Sequence, residues 1–139
     1  MIKIIISIGL LLSVNLFASL FDDGLAQYAN GNKKEAMELH TKACNDGNMH
    51  ACIELGIQYA SGDGVKQDTR KAKGFFVEAC KARYSKGCYN LGVMYKQGAD
   101  GVKQNKKRAE MAFSRACYIG DERGCEQFNL LDSKMSQKL

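Results

Sequence analysis

The sequence predicts an all-α fold built as a solenoid of αα-hairpin repeats, and three observations carry that prediction. A cysteine pair eight residues apart occurs three times: Cys44 with Cys52, Cys80 with Cys88, and Cys117 with Cys125. The first members lie 36 and 37 residues apart, and a fixed period in the thirties marks stacked repeats. Apolar residues recur at offsets 0, 3, 4, 7 and 8 before each first cysteine, which is one stripe on an α-helix. The 139 residues include no proline, the residue that breaks helix interiors.

The elements follow in order. Met1-Ile2-Lys3 and the apolar run Ile4 to Phe17, ending in Phe17-Ala18-Ser19, read as a secretory signal over residues 1–18. The run is short for a membrane span, and an uncleaved anchor is the alternative. No stable membrane insertion is expected after cleavage. Residues 19–132 are expected to form the repeat domain, seven helices making about three and a half hairpins. Residues 133–139 are expected to be a flexible tail.

A first helix ends at Leu25, Tyr28 and Ala29, and the short loop Asn30-Gly31-Asn32 follows. The second helix of each unit carries the stripe: Ala36, Leu39, His40, Ala43, Cys44, then Ala72, Phe75, Phe76, Ala79, Cys80, then Ala109, Ala112, Phe113, Ala116, Cys117. His40 stands in the slot of Phe76 and Phe113, and is expected to be a partly exposed residue of a terminal face. Asn32, Asp68 and Asn105 are placed as helix N-caps. The first helices carry Cys52, Leu55, Gly56, Tyr59 and Cys88, Leu91, Gly92, Tyr95. Gly56 and Gly92 are expected to let the partner helix backbone pass against Ala72 and Ala109. The long loop Ser61–Asp68 recurs as Gln97–Asn105 with Ala99 inserted. Gly47 and Gly120 are placed to end helices, but Arg83 holds that slot in the middle unit, so a different turn is expected there. In the last helix Asn129 and Asp132 replace the glycine and tyrosine, as suits a terminal cap.

Six cysteines behind an export signal imply three disulfides and a periplasmic or secreted protein. Two pairings are geometrically open. Local bridges, Cys44–Cys52, Cys80–Cys88 and Cys117–Cys125, would tie one hairpin to the next. Bridges Cys52–Cys80 and Cys88–Cys117 would close single hairpins and strand Cys44 and Cys125. The local scheme uses every cysteine alike and is preferred. A zinc site lacks its Cys-x-x-Cys spacing, and no metal or other cofactor is expected. The net charge of +5 is spread along the chain without a basic stripe, so no nucleic-acid partner is expected.

The run Ala51-Cys52-Ile53-Glu54-Leu55-Gly56, with Tyr59, Gly62-Asp63-Gly64-Val65-Lys66-Gln67-Asp68, Ala72, Phe76 and Ala79-Cys80, resembles the Sel-one-like αα repeat, a relative of the tetratricopeptide repeat. With cysteines eight apart in each unit, the chain is similar to the Helicobacter cysteine-rich proteins. The resemblance implies a right-handed superhelix with a concave face. It also implies a β-lactamase-like hydrolase, binding penicillin-type β-lactams and slowly hydrolysing the lactam amide.

The residues themselves supply no catalytic set. Ser-x-x-Lys, Ser-Asp-Asn and Lys-Thr-Gly are absent, and Ser133-Lys134-Met135-Ser136 has the wrong order. There are two histidines, His40 and His50, and His50 reads as a surface residue beside the Cys52 corner. The catalytic residues stay unassigned. The alternative class is a non-catalytic scaffold that binds a peptide, a cell-wall fragment or a protein partner. By analogy with tetratricopeptide grooves, its lining would be His50, Ile53 and Ile57, then Lys86, Tyr89, Asn90 and Val93. The same groove would take a β-lactam or a peptidoglycan-like small molecule.

Overall fold

The computed structural model describes residues 19–136, with side chains through Ser133. The expected signal over residues 1–18 lies outside them. The described helices are α1 (19–29), α2 (Lys33–Asn45), α3 (Met49–Ser61), α4 (Thr69–Lys81), α5 (Ser85–Gln97), α6 (Lys106–Ile119) and α7 (Glu122–Ser136). Helix α7 continues past Ser133, where the tail was expected to begin. Among the described residues, none of the helices is long and apolar enough to cross a membrane. The chain forms two compact units, divided within α3 between Leu55 and Gly56.

The first unit holds α1, α2 and the start of α3. Its core contains Ala36, His40 and Ala43 from α2 and Ala51, Cys52, Ile53 and Leu55 from α3. His40 is 1 % exposed, so the expected partly exposed histidine is instead a core residue. Its ring lies against Gly24 of α1, where an added Cβ would sit 2.4 Å from the imidazole. Phe21 flanks the same ring at 5.7 Å.

The second unit repeats that contact. A Cβ on Gly56 would sit 2.5 Å from the Phe76 ring, and one on Gly92 2.6 Å from the Phe113 ring. The glycines therefore admit an aromatic ring, not a passing backbone as the sequence suggested. The reason is volume: a benzyl side chain needs the space of the missing methyl, and interiors tolerate no overlap. Helix α4 packs on α5, α5 on α6, and α6 on α7. Ala72, Ala79, Ala109 and Ala116 are fully buried between them.

The corners show why the cysteines meet. After α2, Gly47 N–H donates to Cys44 O at 2.9 Å and Asn48 N–H to Ala43 O at 2.9 Å. Arg83 to Cys80 O and Tyr84 to Ala79 O repeat this after α4, as do Gly120 to Cys117 O and Asp121 to Ala116 O after α6. All three are Schellman turns, whose third residue takes positive φ. Arg83 adopts φ 65° beside 95° for Gly47 and 109° for Gly120. The expected difference in the middle turn is thus absent; arginine has taken the glycine conformation. Each turn returns the chain so that the next helix brings its cysteine back. Cys44–Cys52, Cys80–Cys88 and Cys117–Cys125 are bonded with Cα–Cα distances of 4.8, 4.5 and 4.5 Å. The two closer corners have Gly87 and Gly124, whose Cβ would strike Ala79 and Ala116 at 2.6 and 2.7 Å. Ala51 holds that place in the wider corner.

At the opposite ends, Asp68 caps α4 by accepting from Lys71 N–H at 3.0 Å, and Asn105 caps α6 from Arg108 N–H at 2.9 Å. Asn32 precedes α2 but does not cap it; its amide donates to Gln27 Oε1 at 2.8 Å. The Gln of each Val-Lys-Gln closes its loop, since Gln67 donates to Ala60 O and Gln104 to Lys96 O. The inserted Ala99 pairs with Val102 across Asp100-Gly101 through two hydrogen bonds, 2.9 and 2.8 Å. That small turn leans on α4: the Thr69 hydroxyl donates to Asp100 O, and Gly101 (φ 81°) lies against Arg70.

Candidate binding face

Helix α5 presents Lys86, Tyr89, Asn90 and Val93 at spacings of three and four, which set them on one face. Lys86 is exposed, while Tyr89, Asn90 and Val93 are half-buried. Tyr89 is fixed from beneath by the buried Phe113, with ring centroids 5.6 Å apart and tilted by 55°. Above its ring lies the Arg123 guanidinium of α7, 4.4 Å from the centroid. That distance is well inside the reach of a cation–π contact.

Arg123 is itself oriented by Asp121. Its Nε and Nη2 donate to the two carboxylate oxygens at 2.9 and 2.7 Å, and its backbone N–H adds a third bond at 3.1 Å. The Asp121 side chain is 8 % exposed and the Arg123 side chain 55 %. The Arg123 hydrogen bond holds the Asp121 carboxyl below its ordinary pKa, outweighing the burial that pushes it up. The same bond raises Arg123. The guanidinium is thus a permanent cation with one edge anchored on Asp121, one face on the Tyr89 ring and the remainder exposed.

Further along, Lys96 Nζ donates to Gln127 Oε1 at 2.6 Å, joining α5 to α7 again. The Asn90 Nδ2 atom is shielded from solvent and has no hydrogen-bond partner. The face therefore offers an aromatic ring and the cations of Arg123, Lys86 and Lys96. Such groups bind carbonyl and carboxylate oxygens.

The first unit carries a smaller version. Phe21 lies 6.0 Å from the His50 ring, and Asn48 Oδ1 accepts from His50 and Ala51 N–H at 3.0 and 3.2 Å. His50 is exposed, as the sequence suggested. Ile53, expected in the groove lining, is 1 % exposed and belongs to the core, whereas Tyr89 in the same repeat slot is half-buried. Ile57, in the second unit, is half-buried. Sequence reasoning missed Arg123, Asp121, Lys96 and Gln127. Arg123 had a readable signal: it stands 37 residues after Lys86, in the same repeat slot.

Among the described residues, no cysteine is free and no group of three His, Cys, Asp or Glu side chains is arranged to hold a metal ion. Residues 15–48, 50–84 and 85–121 match the Sel1 repeat. The solved structure of Helicobacter pylori cysteine rich protein B (hcpB) superposes with a TM-score of 0.68 at 30% identity, over 85% of this chain and 93% of that one. The chain is a Sel1-repeat protein of the Helicobacter cysteine-rich family.

Other likenesses are partial. A Helicobacter pylori protein named "Putative beta-lactamase HcpE" is 42% identical over 45 residues, 32% of this chain and 13% of its own length. The "Exopolysaccharide production negative regulator" of Rhizobium leguminosarum bv. viciae is 34% identical over 73 residues, 52% of this chain and 27% of its own. This Sel1-repeat chain thus spans less than a third of the curated relatives it matches.

Proposed function

We propose that this protein is an exported binding module. Its α5–α7 face, centred on Tyr89, Asn90 and Arg123, would hold an extended peptide or a peptidoglycan-like wall fragment. The observation that carries the reading is the Tyr89–Arg123 pair, preassembled by Phe113 below and Asp121 beside it, next to the Asn90 Nδ2, which has no hydrogen-bond partner. Groups held in place before binding lose little entropy on contact, so a few of them suffice for specificity. Repeat folds of this type serve mainly as interaction surfaces. Three disulfides suit an oxidising compartment, which supports the signal-peptide reading of residues 1–18 and a periplasmic or secreted location.

The likeness to HcpE favours a second reading, slow hydrolysis of a β-lactam on the same face. A lactam offers a strained carbonyl and a carboxylate to the same donors, Asn90, Lys86 and Arg123. Hydrolysis would then rest on polarising that carbonyl.

One set of measurements separates the two. Calorimetry of the oxidised protein with a muropeptide, repeated on Asn90→Ala and Tyr89→Ala, is expected to show binding that each change weakens roughly tenfold. Unchanged affinity in both variants would remove the face from consideration. A chromogenic cephalosporin assay on the same samples tests the second reading. Saturable turnover lost in Tyr89→Ala would support it, and no turnover would leave the binding module alone.

A further inference from the structure

Helix α4 contains a glycine that its own fold does not explain. Gly74 lies in the middle of α4 on the exposed side, and nothing approaches the position of its absent Cβ within 4 Å. A mid-helix glycine is unfavourable against alanine. The equivalent residues in the sister helices are Glu38 of α2 and Met111 of α6. Around Gly74 lies an open groove of about 690 Å³ bordered by Tyr59, Lys71, Lys73, Phe75, Val77 and Glu78. Lys71 lies 5.2 Å above the Tyr59 ring, and Tyr59 stacks on Phe75 at 6.0 Å. The groove is thus a shallow, open gap in the helix surface with apolar walls and a margin of Lys71, Lys73 and Glu78.

One repeat further on, the same helical position carries the opposite shape. Met111 of α6 is 65% exposed, an unbranched apolar knob projecting from the surface. The charges are opposite as well. The residue before Gly74 is Lys73, and the one before Met111 is Glu110. Four residues after Gly74 stands Glu78, and four after Met111 stands Arg115. Glu110 and Arg115 border a smaller hollow of about 280 Å³ beside Met111 and Phe128. Both helices lie in the second unit, at matching positions of successive repeats.

From this pairing we propose that a second copy of the chain is the occupant of the groove. Helix α4 of each copy docks on α6 of the other, Met111 enters the gap at Gly74, and Glu78 meets Arg115. A two-fold arrangement makes the contact twice, because the gap and the knob lie on the same surface. Met is suited to the role, since its flexible thioether fills irregular gaps. The second helices carry this interface, so it leaves the α5–α7 face open and stands or falls independently of the binding function.

Sedimentation equilibrium of the full oxidised protein over a wide concentration series tests the proposal. Wild type is expected to show a reversible monomer–dimer equilibrium. Gly74→Ala should raise the melting temperature, because alanine favours the helix, yet weaken dimerisation roughly tenfold by filling the gap. Met111→Ala should weaken the dimer with an unchanged melting temperature. Glu78→Arg should weaken it too, and adding Arg115→Glu should restore it. A wild type that stays monomeric at every concentration overturns the proposal. So does a dimer indifferent to Gly74→Ala and Met111→Ala, or a groove that takes a different protein while the chain alone never associates.

Discussion

Arg83 holds a conformation that costs an L-residue roughly 1–2 kcal/mol, while the same turn in the other two units is made by glycine. Replacing Arg83 by glycine should therefore stabilise the fold by about 1 kcal/mol, part of the gain being lost to the freer unfolded chain. Urea denaturation reads this directly, and a lower midpoint would mean that the Arg83 side chain contributes more than its backbone loses. Asp121 gives a pH-dependent counterpart. Its native pKa is depressed by Arg123, so its stabilisation is complete above the unfolded value of about 4 and fades as pH falls through the native value below it. Asp121→Asn should cost about 1 kcal/mol at neutral pH, a modest figure because Arg123 is half exposed. The wild-type and variant stability curves should converge in acid. A constant gap down to the lowest pH would show that the carboxylate charge is irrelevant.

At the scale of the element, the unit of construction is the corner: Schellman turn, small residue, cysteine pair. Each bridge closes a short loop, worth about 2.5 kcal/mol in the chain-entropy estimate. Cys80→Ala with Cys88→Ala should lower stability by that amount and leave the circular dichroism helical, since the turn hydrogen bonds remain. Loss of helical signal at 25 °C would assign the corner a larger part than a staple. This level of organisation was legible in the sequence, because the cysteine spacing, the caps Asp68 and Asn105 and the glycines Gly56 and Gly92 recur in register. What a glycine makes room for was not legible. Gly56 and Gly92 admit rings from the next helix, and one-dimensional spacing does not tell a side chain from a backbone. His40 was misplaced for a related reason: polarity suggested exposure, whereas the repeat slot it shares with Phe76 and Phe113 dictates burial. The binding face was half visible. Lys86, Tyr89, Asn90 and Val93 were named by analogy with tetratricopeptide grooves, but the Tyr89–Arg123–Asp121 arrangement needed the contact between α5 and α7.

For the whole molecule, the glycine-and-ring register sets the rule for stacking. Gly24, Gly56 and Gly92 each receive a ring from the helix that follows, but the same slot in α7 is Asn129, which is exposed. A further helix of the α6 kind would bring its phenylalanine against the Asn129 side chain. An engineered copy of Gly98–Ile119 joined after α7 should therefore add cooperative stability only when Asn129 is changed to glycine. Equal urea midpoints with and without that change would refute the rule.

The bridged corners also bear on how the protein meets proteases. Lys81, Arg83 and Lys86 are all exposed and all lie between Cys80 and Cys88. An enzyme that cuts after basic residues can sever the backbone there without parting the two fragments, because the sulfur link spans the wound. Under oxidising conditions such a nick leaves the two parts joined, and they separate only where a reductant is present.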